Sequence, residues 1–161
     1  HMIQLQIQKR NIKETLLEAV NTVIMKAIEK KIEFSVDAVE CMAFHDFRWT
    51  QEALINLLDN AIKYSPSGTT VEIRLQKLTS YALIEVIDQG MGVEKKERHK
   101  IFQRFYRGEQ TKELQRDGAG IGLYLAKEII EQQHGTITVK ENPSHQGCCF
   151  QVMLPLSITK L

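Results

Sequence analysis

Cysteine is scarce in this chain of 161 residues, with only Cys41, Cys148 and Cys149 present. An odd number is a poor disulfide framework, two are adjacent and face opposite sides of any strand, and no Cys-x-x-Cys pair exists to hold zinc. The three are expected to be reduced residues of a cytoplasmic compartment. A dominant charge is missing too. Lys and Arg number 21 against 20 Asp and Glu, a net charge of +1, so nothing in the bulk electrostatics points to a nucleic-acid partner. No apolar run approaches the roughly 20 residues that cross a bilayer, and direct membrane contact is not expected. No signal peptide is expected from the opening residues, and the sequence holds no internal repeat and no low-complexity tract. His1-Met2 reads as a cloning remnant.

What is present suits a single domain with a real core, since 43% of the residues are hydrophobic and 25% charged. Residues 3–8 alternate strictly and predict a half-buried strand. Asn11 predicts the cap of a helix over 12–29, followed by short strands near 32–36 and 41–45. Thr50 and Glu52 predict the opening of a second helix that breaks at Ser65-Pro66-Ser67-Gly68. A β-pair is expected at about 69–78 and 81–88, a third helix over 119–134 stopping at Gly135, and closing strands at 136–141 and 148–154. The sum is an α/β fold: a two-layer sandwich with a mixed, mostly antiparallel sheet and three main helices on one face. Residues 89–117 are polar and poor in apolar anchors. A loop of that length inside a compact domain predicts a functional lid.

Three motifs carry chemistry. On the second helix, Glu52, Asn56, Asp59, Asn60 and Lys63 share one arc, opposite Ala53, Leu54, Leu57, Leu58, Ala61 and Ile62. A plain solvated face explains the charges, but asparagine is a mediocre helix former, and two in mid-helix call for a reason. Amide oxygens suit a hard cation that bridges to phosphate, and Lys63 suits the phosphate itself. Asp88 ends an apolar strand and is followed by Gly90 and Gly92, an arrangement in which a carboxylate can read an adenine amino group while glycine backbone approaches the ring. Gly118, Ala119, Gly120, Ile121, Gly122 and Leu123 run into a helix whose N-terminal N–H groups suit an anion. Their spacing is not GxGxxG, and no GxxxxGK[ST] loop occurs, so neither familiar nucleotide fingerprint applies. In this order the motifs describe an ATP pocket.

These residues resemble the catalytic and ATP-binding domain of bacterial sensor histidine kinases, whose Bergerat fold is shared with gyrase, MutL and a large heat-shock chaperone. Asn56 to Pro66 resemble the N box, Asp88 to Gly92 the first glycine box, Ile101 to Arg107 the F box, and Gly118 to Leu123 the second glycine box. The resemblance implies Asn60 and Asn56 as Mg²⁺ ligands and Asp88 as the adenine reader. It also places Lys63, Tyr64 and Arg107 near the phosphates or the ring, and makes residues 93–117 the ATP lid. Two departures stand out. Ala119 replaces a Thr or Ser common in the family. Cys149 stands where threonine holds an adenine-linked water, which implies weaker ATP binding because a thiol is a poor hydrogen-bond partner.

Relatives of the same fold that hydrolyse ATP place a glutamate at the position of Asn56. An amide is no general base, so the γ-phosphate is expected to go to another acceptor. Neutral imidazole is nucleophilic near pH 7, and Mg²⁺, Lys63 and Arg107 would neutralise the charge. Glu52 is either an orienter of that acceptor or a solvated carboxylate. The family's acceptor histidine lies in a His-Glu/Asp-x-x-x-Pro context, and His1, His45, His99, His134 and His145 do not. The resemblance therefore implies that the dimerisation and phosphoacceptor domain lies outside residues 1–161. The fragment would be a monomer that does not autophosphorylate alone. It would be the cytoplasmic part of a membrane sensor whose further partner is a response regulator. A same-fold ATPase, a serine-phosphorylating anti-sigma-factor kinase and a degenerate nucleotide-binding module are the alternatives.

Overall fold

The computed structural model describes residues 3–104, 106 and 121–158. In chain order its elements are β1 (Gln8–Asn11), α1 (Ile12–Glu29), β2 (Glu33–Ala38), β3 (Met42–His45), α2 (Phe47–Tyr64), β4 (Thr70–Lys77), β5 (Tyr81–Ile87), α3 (Gly122–Glu131), β6 (Thr136–Glu141) and β7 (Cys148–Pro155). Five strands form one sheet in the order β2-β4-β5-β7-β6. The β2–β4 pair is parallel and the other three pairs are antiparallel. The helices pack on one face, against Ile73, Leu75, Ile84, Phe150 and Leu154, all of which are buried. This is the expected two-layer sandwich.

The first strand is corrected. Among the described residues no ladder forms before Gln8. β1 is Gln8–Asn11, and it pairs with β3 in a small separate sheet. The alternation of residues 3–7 survives as alternating exposure, without a neighbouring strand to bond. Asn11 ends β1 and caps α1 at once, its Oδ1 accepting the Lys13 N–H at 3.1 Å. The second helix also starts earlier than expected. Asp46 is its cap, with Oδ1 accepting the Trp49 N–H at 2.8 Å. Thr50 is instead a buried residue of the first turn. On its core face Leu54, Leu57 and Leu58 are fully buried, each stabilising by roughly 1.5–3 kcal/mol.

Gln133, just past α3, joins the far ends of the two helices that bear the site motifs. Its Oε1 accepts the Asp46 N–H at 2.6 Å, and its Nε2 donates to Thr50 Oγ1 at 3.0 Å and to the Ile129 carbonyl at 3.2 Å. The chain leaves α3 through His134 in the left-handed region, at φ 64°. Gly135 follows because a side chain there would meet the Met153 carbonyl at 2.3 Å.

α1 ends in the same way on Lys31, at φ 62°. A non-glycine residue there costs about 1 kcal/mol, part of which glycine returns through unfolded-state entropy. Lys31→Gly is expected to raise stability by about 0.5 kcal/mol, read as a melting temperature about 1–2 °C higher.

Candidate functional site

The site forms where the C-terminal half of α2, the end of β5, the β6–β7 hairpin and the start of α3 meet. Asp88 follows β5 and is 3% exposed. Its Oδ1 accepts the Gly90 N–H at 2.9 Å and the Cys148 N–H at 3.0 Å. Among the described residues no hydrogen bond reaches Oδ2. Burial pushes the Asp88 carboxyl above the usual aspartate range, against the two N–H groups that favour its charged form. A buried carboxylate with one oxygen fixed by backbone and the other unspent is a directional acceptor for an amino group.

Gly90 lies hard against the end of α2. A Cβ there would sit 2.9 Å from the Tyr64 carbonyl oxygen and 3.3 Å from Asp88 Oδ1. Ser65, buried just past α2, accepts the Gln89 N–H on its Oγ at 3.3 Å. N box and first glycine box are thus joined directly. Gly92, at φ 83°, lies against Gly147 of the β6–β7 hairpin.

On α2, Asn56 and Asn60 are half-buried, Lys63 and Glu52 are exposed and Tyr64 is half-buried. The polar arc divides: Asp59 turns to α1 and pairs with Lys26 at 3.3 Å. Asn56 faces the start of α3, where a Cβ built on Gly122 would lie 3.6 Å from its Oδ1. Asn56 Nδ2 is buried without a partner, a costly state for an amide in the absence of a ligand. No protein hydrogen bond holds either asparagine amide among the described residues. These residues fit a hard cation shared with phosphate, which takes oxygen ligands and keeps waters. No group of three or more His, Cys, Asp or Glu able to hold a metal occurs among the described residues.

At the second glycine box, Ile121, Gly122 and Leu123 lie within the described residues, with Ile121 and Gly122 exposed and Leu123 half-buried. Gly118, Ala119 and Gly120 fall outside them, as does Arg107. The described part of the expected lid contains two short 3-10 turns, Lys95–Glu97 and Lys100–Phe102. Phe102 anchors it, stacking edge-on to Phe150 with centroids 6.1 Å apart. Lys127 of α3 places Nζ 5.2 Å from the Phe102 ring centroid.

Cys149 is corrected. It pairs with Ile87 across β5–β7 and therefore shares the face of Glu85, opposite the helices. Its thiol donates to Glu85 Oε2 at 3.3 Å. A residue there cannot hold a water for Asp88, and the expectation that Cys149 weakens ATP binding falls with it. Cys148 is the residue on the Asp88 side. Burial, with the Asp88 charge added, pushes its thiol up to about 12. In the sequence, Ser65 stands out only through the helix break and the N box, and Asn142 and Gly147 are not singled out. Asn142 donates from Nδ2 to the Asp88 carbonyl at 2.8 Å. Only the glycine before an apolar strand hinted at that corner.

With this geometry in place, the comparisons are specific. The model of the histidine kinase-, DNA gyrase B-, and HSP90-like ATPase family matches residues 45–158, and the chain belongs to that family. Within it the chain is of the sensor-histidine-kinase type, a catalytic ATP-binding domain. It is 35% identical over 130 residues to the sensor protein kinase PmrB of Pseudomonas aeruginosa, covering 81% of this chain and 27% of that protein. It is 35% identical over 130 residues to the histidine-protein kinase/phosphatase MprB of Mycolicibacterium smegmatis, covering 77% and 26%. A solved mycobacterial sensor histidine kinase MprB superposes with a TM-score of 0.83 at 28% identity, over 93% of this chain and 97% of that one. The chain spans about a quarter of the length of the curated relatives it matches. No helix among the described residues is long and apolar enough to cross a membrane.

Proposed function

We propose that this chain binds Mg-ATP and supplies the γ-phosphate to a histidine on a dimerising segment outside residues 1–161, for relay to a response-regulator aspartate. The observation that carries the reading is the Asp88 carboxylate, buried and held on Oδ1 by two backbone N–H groups with Oδ2 unspent; Asn56 Nδ2, buried without a partner, adds a donor suited to a phosphate oxygen. Asp88 reads the adenine amino group. Asn60 and Asn56 would hold Mg²⁺ by their amide oxygens, and the ion would supply charge neutralisation to the phosphates. Lys63 would add positive charge there; Arg107 and the backbone N–H groups from Gly118 to Leu123 are assigned the same task by the motif resemblance.

Asn56 cannot take a proton from water, so this position supplies no general base for hydrolysis, and the γ-phosphate is left for an incoming imidazole. The imidazole nitrogen bonds to phosphorus as the bond to the bridging oxygen breaks and ADP leaves. Two solved structures that share the fold lend support. ShkA, at a TM-score of 0.81 and 24% identity over 100% of this chain and 33% of that one, was crystallised with AMPPNP. ThkA, at 0.80 and 22% over 95% and 42%, was solved in complex with the response regulator TrrA. The placement of the domain in a membrane sensor belongs to the same proposal.

The test joins the chain to its native upstream segment and follows γ-labelled ATP. Label on protein that is lost in acid and kept in base is the expected result. Acid-stable label means a serine acceptor, and sustained phosphate release by the domain alone means an ATPase; either would overturn the proposal.

A further inference from the structure

The loop between β6 and β7, residues 142–147, grips the first glycine box from the outside. Asn142 Nδ2 donates to the carbonyl of Asp88 at 2.8 Å, and Gln146 Nε2 donates to the carbonyl of Met91 at 2.9 Å. The loop's last residue brings Gly147 against Gly92. Immediately beyond, Cys148 N–H donates to Asp88 Oδ1. The loop is itself braced, because Asn142 Oδ1 accepts the N–H groups of Ser144 and His145 at 2.9 and 3.1 Å, and the Asn142 N–H donates to the Gly147 carbonyl at 3.0 Å.

A hydrogen-bonded base reader discriminates only as well as its acceptor is placed, and displacements of about 1 Å forfeit most of the selectivity. Asp88 sits at a strand end, where its own ladder stops, and the segment from Asp88 to Gly92 contains two glycines with little stiffness of their own. We infer that Asn142 and Gln146 are positioning residues that set base specificity, by clamping the backbone at both ends of the segment that carries Asp88. Both act through the backbone that carries Asp88. The inference rests on the ATP reading above and adds to it the element that makes the pocket an adenine pocket.

The clamp predicts a loss of selectivity rather than a loss of fold. Asn142→Asp keeps the shape and the Oδ1 acceptor that braces the loop, but removes the donor to Asp88. Gln146→Ala removes the second tie from an exposed side chain, where substitution costs little stability. Mg-ATP and Mg-GTP are titrated by calorimetry into the wild type and each variant, well below the melting temperature. The wild type is expected to favour ATP by about 100-fold, because a carboxylate repels the guanine carbonyl. The ratio should fall about tenfold in Asn142→Asp and about threefold in Gln146→Ala, with the Gln146→Ala melting temperature unmoved. An unchanged ratio in both variants, or equal weakening of both nucleotides, overturns the clamp while leaving the ATP reading intact. A wild type that does not prefer ATP overturns both.

Discussion

Replacing Asp88 with asparagine is expected to weaken Mg-ATP binding by about 100-fold, or roughly 2.7 kcal/mol, without lowering the melting temperature. Oδ1 already accepts from Gly90 and Cys148, so an asparagine keeps its oxygen there. Its amide nitrogen then occupies the Oδ2 position and meets the adenine amino group donor to donor. Both donors are desolvated and neither finds an acceptor, which is the costly case for a polar pair. Stability moves the other way. Burial raises the Asp88 carboxyl above its ordinary value, so the native state holds that proton more tightly than the unfolded chain. Ionisation then costs stability at every pH above the folded-state value. A neutral amide removes this cost, and the variant should melt at the wild-type temperature or above it at pH 7. Calorimetric titration and thermal unfolding on the same two samples decide the matter. Equal affinities would remove Asp88 from the adenine site. A variant that loses affinity and several degrees together would mean that the side chain works through the fold.

The sequence made the elements legible where local rules coincide with tertiary ones. Asn11 caps α1 as its residue type predicts, and the apolar face of α2, from Ala53 to Ile62, is the face that the core buries. The errors arose where the deciding interaction is distant in sequence. α2 starts at Phe47 because Asp46 finds Trp49 on one side and Gln133 on the other, and Gln133 is 87 residues away. β1 is four residues long because β3 supplies its ladder, so alternation ahead of Gln8 predicts exposure but no pairing. The site divides in the same way. Asp88, Asn56 and Asn60 were visible as residue types in an unusual context. The face of Cys149 was not, since it depends on the β5–β7 register. Once Ile87 is opposite Cys149, the period of two turns Cys148 to Asp88 and Cys149 to Glu85. Asn142 and Gln146 left no local trace, because their partners are backbone carbonyls, which carry no sequence identity.

Gly147→Ala is expected to be the most damaging single methyl group in the described structure. The residue has φ 136°, a conformation that L side chains rarely adopt, and a Cβ there would lie 2.1 Å from the Asp88 carbonyl oxygen and 2.8 Å from its carbon. Neither atom is the tip of a flexible side chain. That carbonyl is fixed by Asn142, while the Asp88 N–H is fixed by the Cys148 carbonyl at 2.9 Å. Relief therefore requires the strand end or the hairpin to move, breaking the bonds that aim Asp88. Backbone strain with loss of buried hydrogen bonds amounts to on the order of 3 kcal/mol. In a domain of this size that lowers the melting temperature by about 6–12 °C. The comparison with Gly68→Ala isolates the cause. Gly68 also has positive φ, at 88°, but nothing lies within 4 Å of its Cβ position, so that variant carries conformational strain without collision. It should lose about 1 kcal/mol and keep wild-type ATP affinity, whereas Gly147→Ala should lose both stability and binding. If the two variants melt together and bind alike, the hairpin yields freely at Gly147 and the Asp88 backbone is not under its control.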